Sequence, residues 1–316
     1  MTKSSLIYKL LKKCEAPPNA GFFWCYLNFL FNVFLALVGK IVIRTTLTDF
    51  EKGRNYAIMV SKNMGDLLFM IRGLKDLNRI NGFEESVLVA GTVFKKPLMA
   101  LGIKDCLIVD YWKIIAIDKA LQLSPEKYRN VVIGGAYMFF GTKAKDAVTA
   151  RFSLPHHMTE ETKAAIFTSA CMEGRTVVLS PYEQSITVYR DRHLELSFWE
   201  RLADNLKKEG FYVMTNCNGK REKPIYGTVQ FFPPLDEVSA AVEHAGYCVA
   251  ITSGFTDWIS NAELKKEIVL YPTRRSYEFY NLDIKWNKTN VIELIYDQIN
   301  MEPADMADWI TALLME

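Results

Sequence analysis

Tyr247-Cys248-Val249-Ala250-Ile251-Thr252-Ser253-Gly254-Phe255-Thr256-Asp257-Trp258 reads as a buried apolar strand that runs through a Thr-Ser-Gly turn into the start of a helix. Such a corner aims backbone N–H groups that have no partner within the helix, and the positive end of its dipole, at one point. That suits a phosphate. The plainer reading is a strand-to-helix loop whose glycine only eases a tight turn. The sequence on either side decides between them.

Upstream of the corner, strands and amphipathic helices alternate. Arg175-Thr176-Val177-Val178-Leu179-Ser180 is β-branched and apolar and stops at Pro181. Trp199, Leu202, Ala203 and Leu206 then share one helical face, with Glu200, Arg201, Asp204, Lys207 and Lys208 opposite and Gly210 at the end. Phe211-Tyr212-Val213-Met214-Thr215 and Thr228-Val229-Gln230-Phe231-Phe232 are the next strands. Pro233-Pro234 leads into a helix with Leu235, Val238, Ala241, Val242 and Ala245 inward and Gly246 closing it. After the corner, Glu267-Ile268-Val269-Leu270-Tyr271 is a further strand. Strands separated by helices predict a parallel, doubly wound sheet, whose ligands bind beyond the carboxyl ends of the strands. The corner lies at such an end, so the phosphate reading leads.

The first half repeats the rhythm. Tyr56-Ala57-Ile58-Met59-Val60 is a strand, followed by Ser61-Lys62-Asn63-Met64-Gly65-Asp66 and a helical stretch from Leu67. Ser86–Ala90, Cys106–Val109 and Asn130–Ile133 are further strands. A chain of this length accommodates two such domains. The expected division is a basic and hydrophobic segment over 1–44, a first α/β domain over 45–165 and a second over 166–316. Ser153-Leu154-Pro155-His156-His157, or the charged stretch after it, is the expected linker.

Half the residues are apolar and 23% are charged, enough material for two cores. A net charge of +2 gives no electrostatic case for nucleic acid. The six cysteines are scattered and never form a C-x-x-C pair, which points to a reducing compartment and no structural zinc. Four dispersed histidines make no metal site; His156 and His157, side by side, fit a solvated linker. There is no G-x-G-x-x-G, no G-x-x-x-x-G-K-[ST] and no G-x-S-x-G.

From Ala16 to Gly39 no residue is charged, and Phe22, Phe23, Trp24, Tyr26, Phe29, Phe31 and Phe34 crowd the run. Lys9, Lys12 and Lys13 precede it; Lys40 and Arg44 follow. Its length permits a membrane crossing, but basic residues on both sides give no orientation. The aromatic content favours an interfacial anchor on a membrane surface, with a helix packed on the first domain and a true span as the alternatives. The expected location is cytoplasmic, peripheral at the inner face of the cell membrane.

Gly65-Asp66 after the first strand, the Ser180-Pro181-Tyr182 loop, and the Thr252-Ser253-Gly254-Phe255-Thr256-Asp257 corner together resemble family 9 of the glycosyltransferases, which includes the bacterial lipopolysaccharide heptosyltransferases. The resemblance spans Tyr56 to Tyr271 and is dense in the second half, where Phe198–Ala203 and Gly210–Val213 look like the family's helix and strand before the donor site. It implies a GT-B fold, two Rossmann-like domains facing across a cleft. A nucleotide-diphosphate sugar would be held by the second and a glycan or lipid-linked acceptor by the first. No separate cofactor is implied.

Carried over residue by residue, the resemblance makes Asp66 the general base that takes the acceptor hydroxyl's proton in an inverting transfer; the alternative is a cap on the helix from Leu67. Thr252, Ser253, Gly254, Phe255, Thr256 and Asp257 become the diphosphate corner. Ser180, Tyr182, Gln184 and Ser185 offer hydroxyl and amide groups to phosphate or sugar. Arg190, Arg192, Arg274 and Arg275 are candidates for neutralising the leaving diphosphate, with surface solvation as the alternative for each. The chain departs from the family in two places. Thr252 stands where many relatives have an acid, and Asp257 where many have a histidine. An acid beside a diphosphate repels it unless it binds sugar hydroxyls, caps the helix or pairs with Arg274 or Arg275. The D-x-D metal motif is missing from the sequence, which favours a metal-independent mechanism. A nucleotide-sugar epimerase of the same architecture and a non-catalytic, membrane-attached binding protein are the rival readings.

Overall fold

The structure, a computed structural model, describes residues 22–47, 49, 52–62, 64–68, 70–71, 86–104, 106–124, 127, 131–135, 138–139, 142–143, 154–167, 173–182, 194–220, 222–282, 288 and 290–316. The chain forms two compact units, Met1–Arg151 and Phe152–Glu316. The division falls ahead of the 165/166 boundary expected above, so the short helix Glu160–Ile166 belongs to the second unit.

The first unit opens with α1 (Phe22–Thr46), a 25-residue helix. Its sheet holds β1 (Tyr56–Met59), β2 (Val87–Gly91), β3 (Cys106–Val109), β4 (Val131–Gly135), β5 (Met138–Phe139) and β6 (Thr142–Lys143), in the order β3-β2-β1-β4-β5-β6. The first four are parallel, and the two-residue strands β5 and β6 close the edge antiparallel. A short helix α2 (Lys95–Ala100) follows β2, and α3 (Tyr111–Leu123) follows β3. Val42, Ile43 and Leu47 from the end of α1 share a core with Tyr56, Ile58 and Val89 of the sheet and with Ile114, Ile117 and Leu121 of α3. The hydrophobic N-terminal helix is therefore a structural member of this unit.

The second unit begins with α4 (Glu160–Ile166), capped by the Thr159 hydroxyl, which accepts from Thr162 N. Its sheet comprises β7 (Thr176–Ser180), β8 (Tyr212–Asn216), β9 (Val229–Phe231), β10 (Gly246–Ile251), β11 (Lys266–Tyr271) and β12 (Ile292–Ile295), ordered β12-β11-β10-β7-β8-β9 with every pairing parallel. Read from β9, this is the 3-2-1-4-5-6 order of doubly wound dinucleotide-binding sheets. The helices are α5 (Leu196–Lys208), α6 (Val238–Ala245), α7 (Gly254–Trp258), α8 (Arg274–Tyr280) and α9 (Pro303–Met315). Phe198, Trp199, Leu202 and Leu206 of α5 bury one face against Val177, Leu179, Val249 and Leu270 of the strands and Met306, Ile310 and Leu314 of α9. Burying apolar side chains of this size is worth roughly 1.5–3 kcal/mol each. Gly246 ends α6 in the left-handed region at φ 97°, where a Cβ would come within 2.9 Å of Gly174 Cα. Glycine is required there both for conformation and for space.

Candidate functional site

In the second sheet the strand order reverses between β7 and β10, and a ligand binds outside the carboxyl ends of the strands at such a point. Ala250 pairs with Ser180, so β7 ends beside the start of the Thr252–Asp257 corner. Thr252 N donates to Leu270 O at 3.0 Å, which keeps the turn attached to β11. Ser253 is the N-cap of α7, in extended conformation. Its hydroxyl accepts from Phe255 N at 3.3 Å, while Thr256 Oγ1 accepts from Ser253 N at 3.1 Å and donates to Ser253 O at 2.7 Å. This reciprocal capping box fixes the first turn. Thr252, Thr256 and Asp257 are buried; Ser253, Gly254 and Phe255 remain partly open to solvent.

Two features of the corner differ from the sequence reading. Gly254 is not in the left-handed region. As first residue of the helix its N–H has no acceptor one turn back, and without a side chain that N–H is left open to close approach; an unusual φ is not the reason for glycine here. And α7 is only five residues long, so its macrodipole is small, and an anion here would depend on the Gly254 N–H itself.

Asp257 is buried, and its charge acts on the buried Tyr271 phenol at the end of β11. That phenol donates to Glu293 Oε1 at 2.5 Å, and Glu293 Oε1 also accepts from Leu282 N at 2.8 Å. Thr252, at the start of the corner, acts on the same phenol in the opposite direction. Burial, then Glu293 and Asp257, push Tyr271 far above the ordinary range, so it stays a neutral donor. Asp257 does not occupy the cap position, which Ser253 holds.

The other candidate residues fall around the same edge. Ser180 Oγ accepts from Asn216 Nδ2 at 3.0 Å, joining the ends of β7 and β8. Asn216 was not among the residues expected; the signal was its place as the last residue of a strand beside the switch point. Tyr182, half-buried, donates to Lys223 O at 2.5 Å and so ties the loop after β7 to the loop after β8. Arg274 and Arg275 open α8, directly after β11, and are exposed. Arg274 Nε bonds Glu278 Oε1 at 3.2 Å, and its guanidinium lies 5.6 Å from the Tyr277 ring centre. Gln184, Ser185, Arg190 and Arg192 lie outside the described residues.

In the first unit the equivalent reversal is between β1 and β4. Past the end of β1, the Ser61 hydroxyl donates to Asp66 Oδ2. Asp66 is buried and sits inside a helical segment at 64–68, so it does not cap a helix starting at Leu67. Tyr111, first residue of α3, donates to Val60 O at 2.5 Å, and Lys62 Nζ lies 4.0 Å from the Tyr111 ring centre. A carboxylate, a lysine, a serine and a tyrosine thus meet at one strand end. That is the equipment for positioning a hydroxyl and accepting its proton.

No family model matches the chain, and no curated protein does. Among solved structures, the glycosyl transferase family 9 protein of Veillonella parvula aligns over 83% of this chain and 98% of its own, with a TM-score of 0.52 and 12% identity. ADP-heptose lipopolysaccharide heptosyltransferase II of E. coli aligns over 83% of this chain and 98% of its own, with a TM-score of 0.53 and 11% identity. The chain shares the fold of the family 9 glycosyltransferases. The likeness covers both units and is one of architecture, with few residues in common.

Proposed function

We propose that the protein is a glycosyltransferase. It moves a sugar from a nucleotide-diphosphate donor onto a glycan or lipid-linked acceptor in cell-surface polysaccharide synthesis, with inversion and without a metal ion. The observation that carries this reading is the placement of the Ser253-Gly254-Phe255 turn at the strand-order reversal of the all-parallel second sheet. Fold alone would not give it, since one architecture hosts many activities.

In this reading the Gly254 N–H at the start of α7, with Ser180 and Asn216 on the neighbouring strand ends, receives the donor diphosphate. Asp66 takes the proton as the acceptor oxygen attacks the anomeric carbon. The bond from that carbon to the diphosphate breaks, and the departing charge is met by backbone N–H groups and by Arg274 and Arg275.

Incubation of purified protein with a panel of nucleotide sugars and candidate acceptors, following nucleotide diphosphate release, tests the proposal. Release dependent on acceptor is the expected result. A changed sugar without release would indicate an epimerase. Neither release nor nucleotide binding across the panel would leave a non-catalytic protein.

A further inference from the structure

The long helix α1 has two faces of different fate. Leu35, Ala36, Gly39, Val42 and Ile43 are buried. A Cβ on Gly39 would come within 1.9 Å of Ala116 O, so the backbones of α1 and α3 are in direct contact there. At 100° per residue, the opposite face carries Tyr26, Leu30, Phe34, Leu37 and Ile41. These five side chains are 44–63% exposed. A contiguous apolar stripe on this scale marks an interaction surface.

We propose that this outer face docks into one leaflet of a membrane containing anionic lipid, with α1 lying along the surface. Charge selects the occupant. Lys40 and the exposed Arg44 border the stripe at its carboxyl end, Lys9, Lys12 and Lys13 precede the helix in sequence, and no acidic residue occurs between Glu15 and Asp49. Anionic headgroups complement that pattern. A second copy of the same face brings its own lysine and arginine and no acid to meet them. Crossing the membrane is opposed by α3, which lies against the carboxyl half of α1 and carries Lys113, Asp118 and Lys119. The Lys119–Gln122–Asp118 hydrogen bonds on its exposed side would have to enter hydrocarbon. This inference does not depend on the proposed reaction.

The test is co-sedimentation of the full chain with phosphatidylcholine vesicles, with and without phosphatidylglycerol, at low and high salt. The parent should bind the anionic vesicles, less so at high salt, and be released by alkaline carbonate. Leu30→Glu/Phe34→Glu/Leu37→Glu should lower vesicle affinity at least tenfold while keeping the parent's thermal midpoint, because those residues face away from α3. Lys40→Glu/Arg44→Glu, a change that touches no buried apolar side chain, should abolish the preference for anionic vesicles. The proposal is overturned if the parent ignores vesicles, if either folded variant binds as the parent does, if carbonate fails to release it, or if the outer-face variant only converts a dimer to a monomer.

Discussion

At the end of β1 a serine hydroxyl donates to an aspartate; at the end of β10 a serine hydroxyl accepts from a backbone N–H. Both corners follow a central parallel strand at a strand-order reversal, and both lead into a helical turn with a buried acid. In the first, Ser61 donates to Asp66, and Lys62 and Tyr111 lie close by. In the second, Ser253 and Thr256 cap their own helix, and buried Asp257 acts on Tyr271. One corner organises a carboxylate and the other organises N–H groups. Under the proposed reaction the same strand–turn–helix grammar would serve a proton acceptor in one unit and an anion receptor in the other, according to whether the serine hydroxyl donates to a carboxylate or accepts from the backbone.

The strongest way to break that contrast is Asp66→Asn. It keeps size and hydrogen bonding to Ser61 but cannot take a proton, so turnover should fall by roughly 10²–10⁴-fold. Nucleotide diphosphate affinity, assigned to the other corner, should stay within twofold of the parent, or about 0.4 kcal/mol. Single-turnover rates paired with calorimetry decide it, and a near-normal rate would remove the carboxylate from the mechanism.

The second corner is also braced from its far side. Lys288 Nζ lies 2.5 Å from Glu267 Oε2 in β11 and 3.2 Å from Ile259 O, just past the end of α7. Burial pushes the Glu267 carboxyl up, and Lys288 opposes that shift. Lys288→Met would leave the fully buried carboxylate without its cation, at a cost of about 3–5 kcal/mol. Sign follows from the raised pKa: an unpaired Glu267 is protonated in the folded state above the ordinary carboxylate range, so the variant's deficit should shrink as pH falls through that higher range and level off by the ordinary one. Chemical denaturation at several pH values would show it; a deficit independent of pH would mean that the loss is one of packing.

Gly254→Val sharpens the anion-receptor side. Because Gly254 has no left-handed backbone to protect, the fold should survive, while the added side chain blocks approach to the first-turn N–H groups. Diphosphate affinity should drop at least tenfold, about 1.4 kcal/mol. Unchanged affinity in the folded variant would take this corner out of the site.

Much of the second unit was legible in the chain because its strands are short apolar runs bounded by Pro and Gly and its helices are strongly two-sided. Strand order was not, since the reversal between β7 and β10 is set by pairing across more than sixty intervening residues (Ser180 to Gly246). Asn216 is hidden in the sequence for the same reason: its contact with Ser180 exists only because β8 lies beside β7. The two-residue strands β5 and β6 are too short to show a period. The α1 segment is apolar on every side, so nothing in it says which face meets α3 until Gly39 is seen against Ala116. Asp66 stands out in the sequence after the first strand, but its pairing with the Ser61 hydroxyl depends on the turn between them, which no sequence period encodes.

The smallest expected effects test whether capping chemistry or position makes the anion site. β11 leads into α8 through Thr273 and Ser276, whose capping box repeats that of Ser253 and Thr256: Thr273 Oγ1 accepts from Ser276 N at 3.1 Å, and Ser276 Oγ accepts from Thr273 N at 3.0 Å. This corner lies one strand away from the order reversal and has Arg274 where the first has Gly254. Ser253→Ala and Thr273→Ala should each cost about 1 kcal/mol of stability, seen as similar drops in thermal midpoint. Only Ser253→Ala should also weaken diphosphate binding, because its hydroxyl and the N–H groups it orders lie at the reversal. Equal losses of affinity in the two variants would mean that a shared cap, and not the switch point, governs binding; no loss in either would confine both boxes to holding their helices.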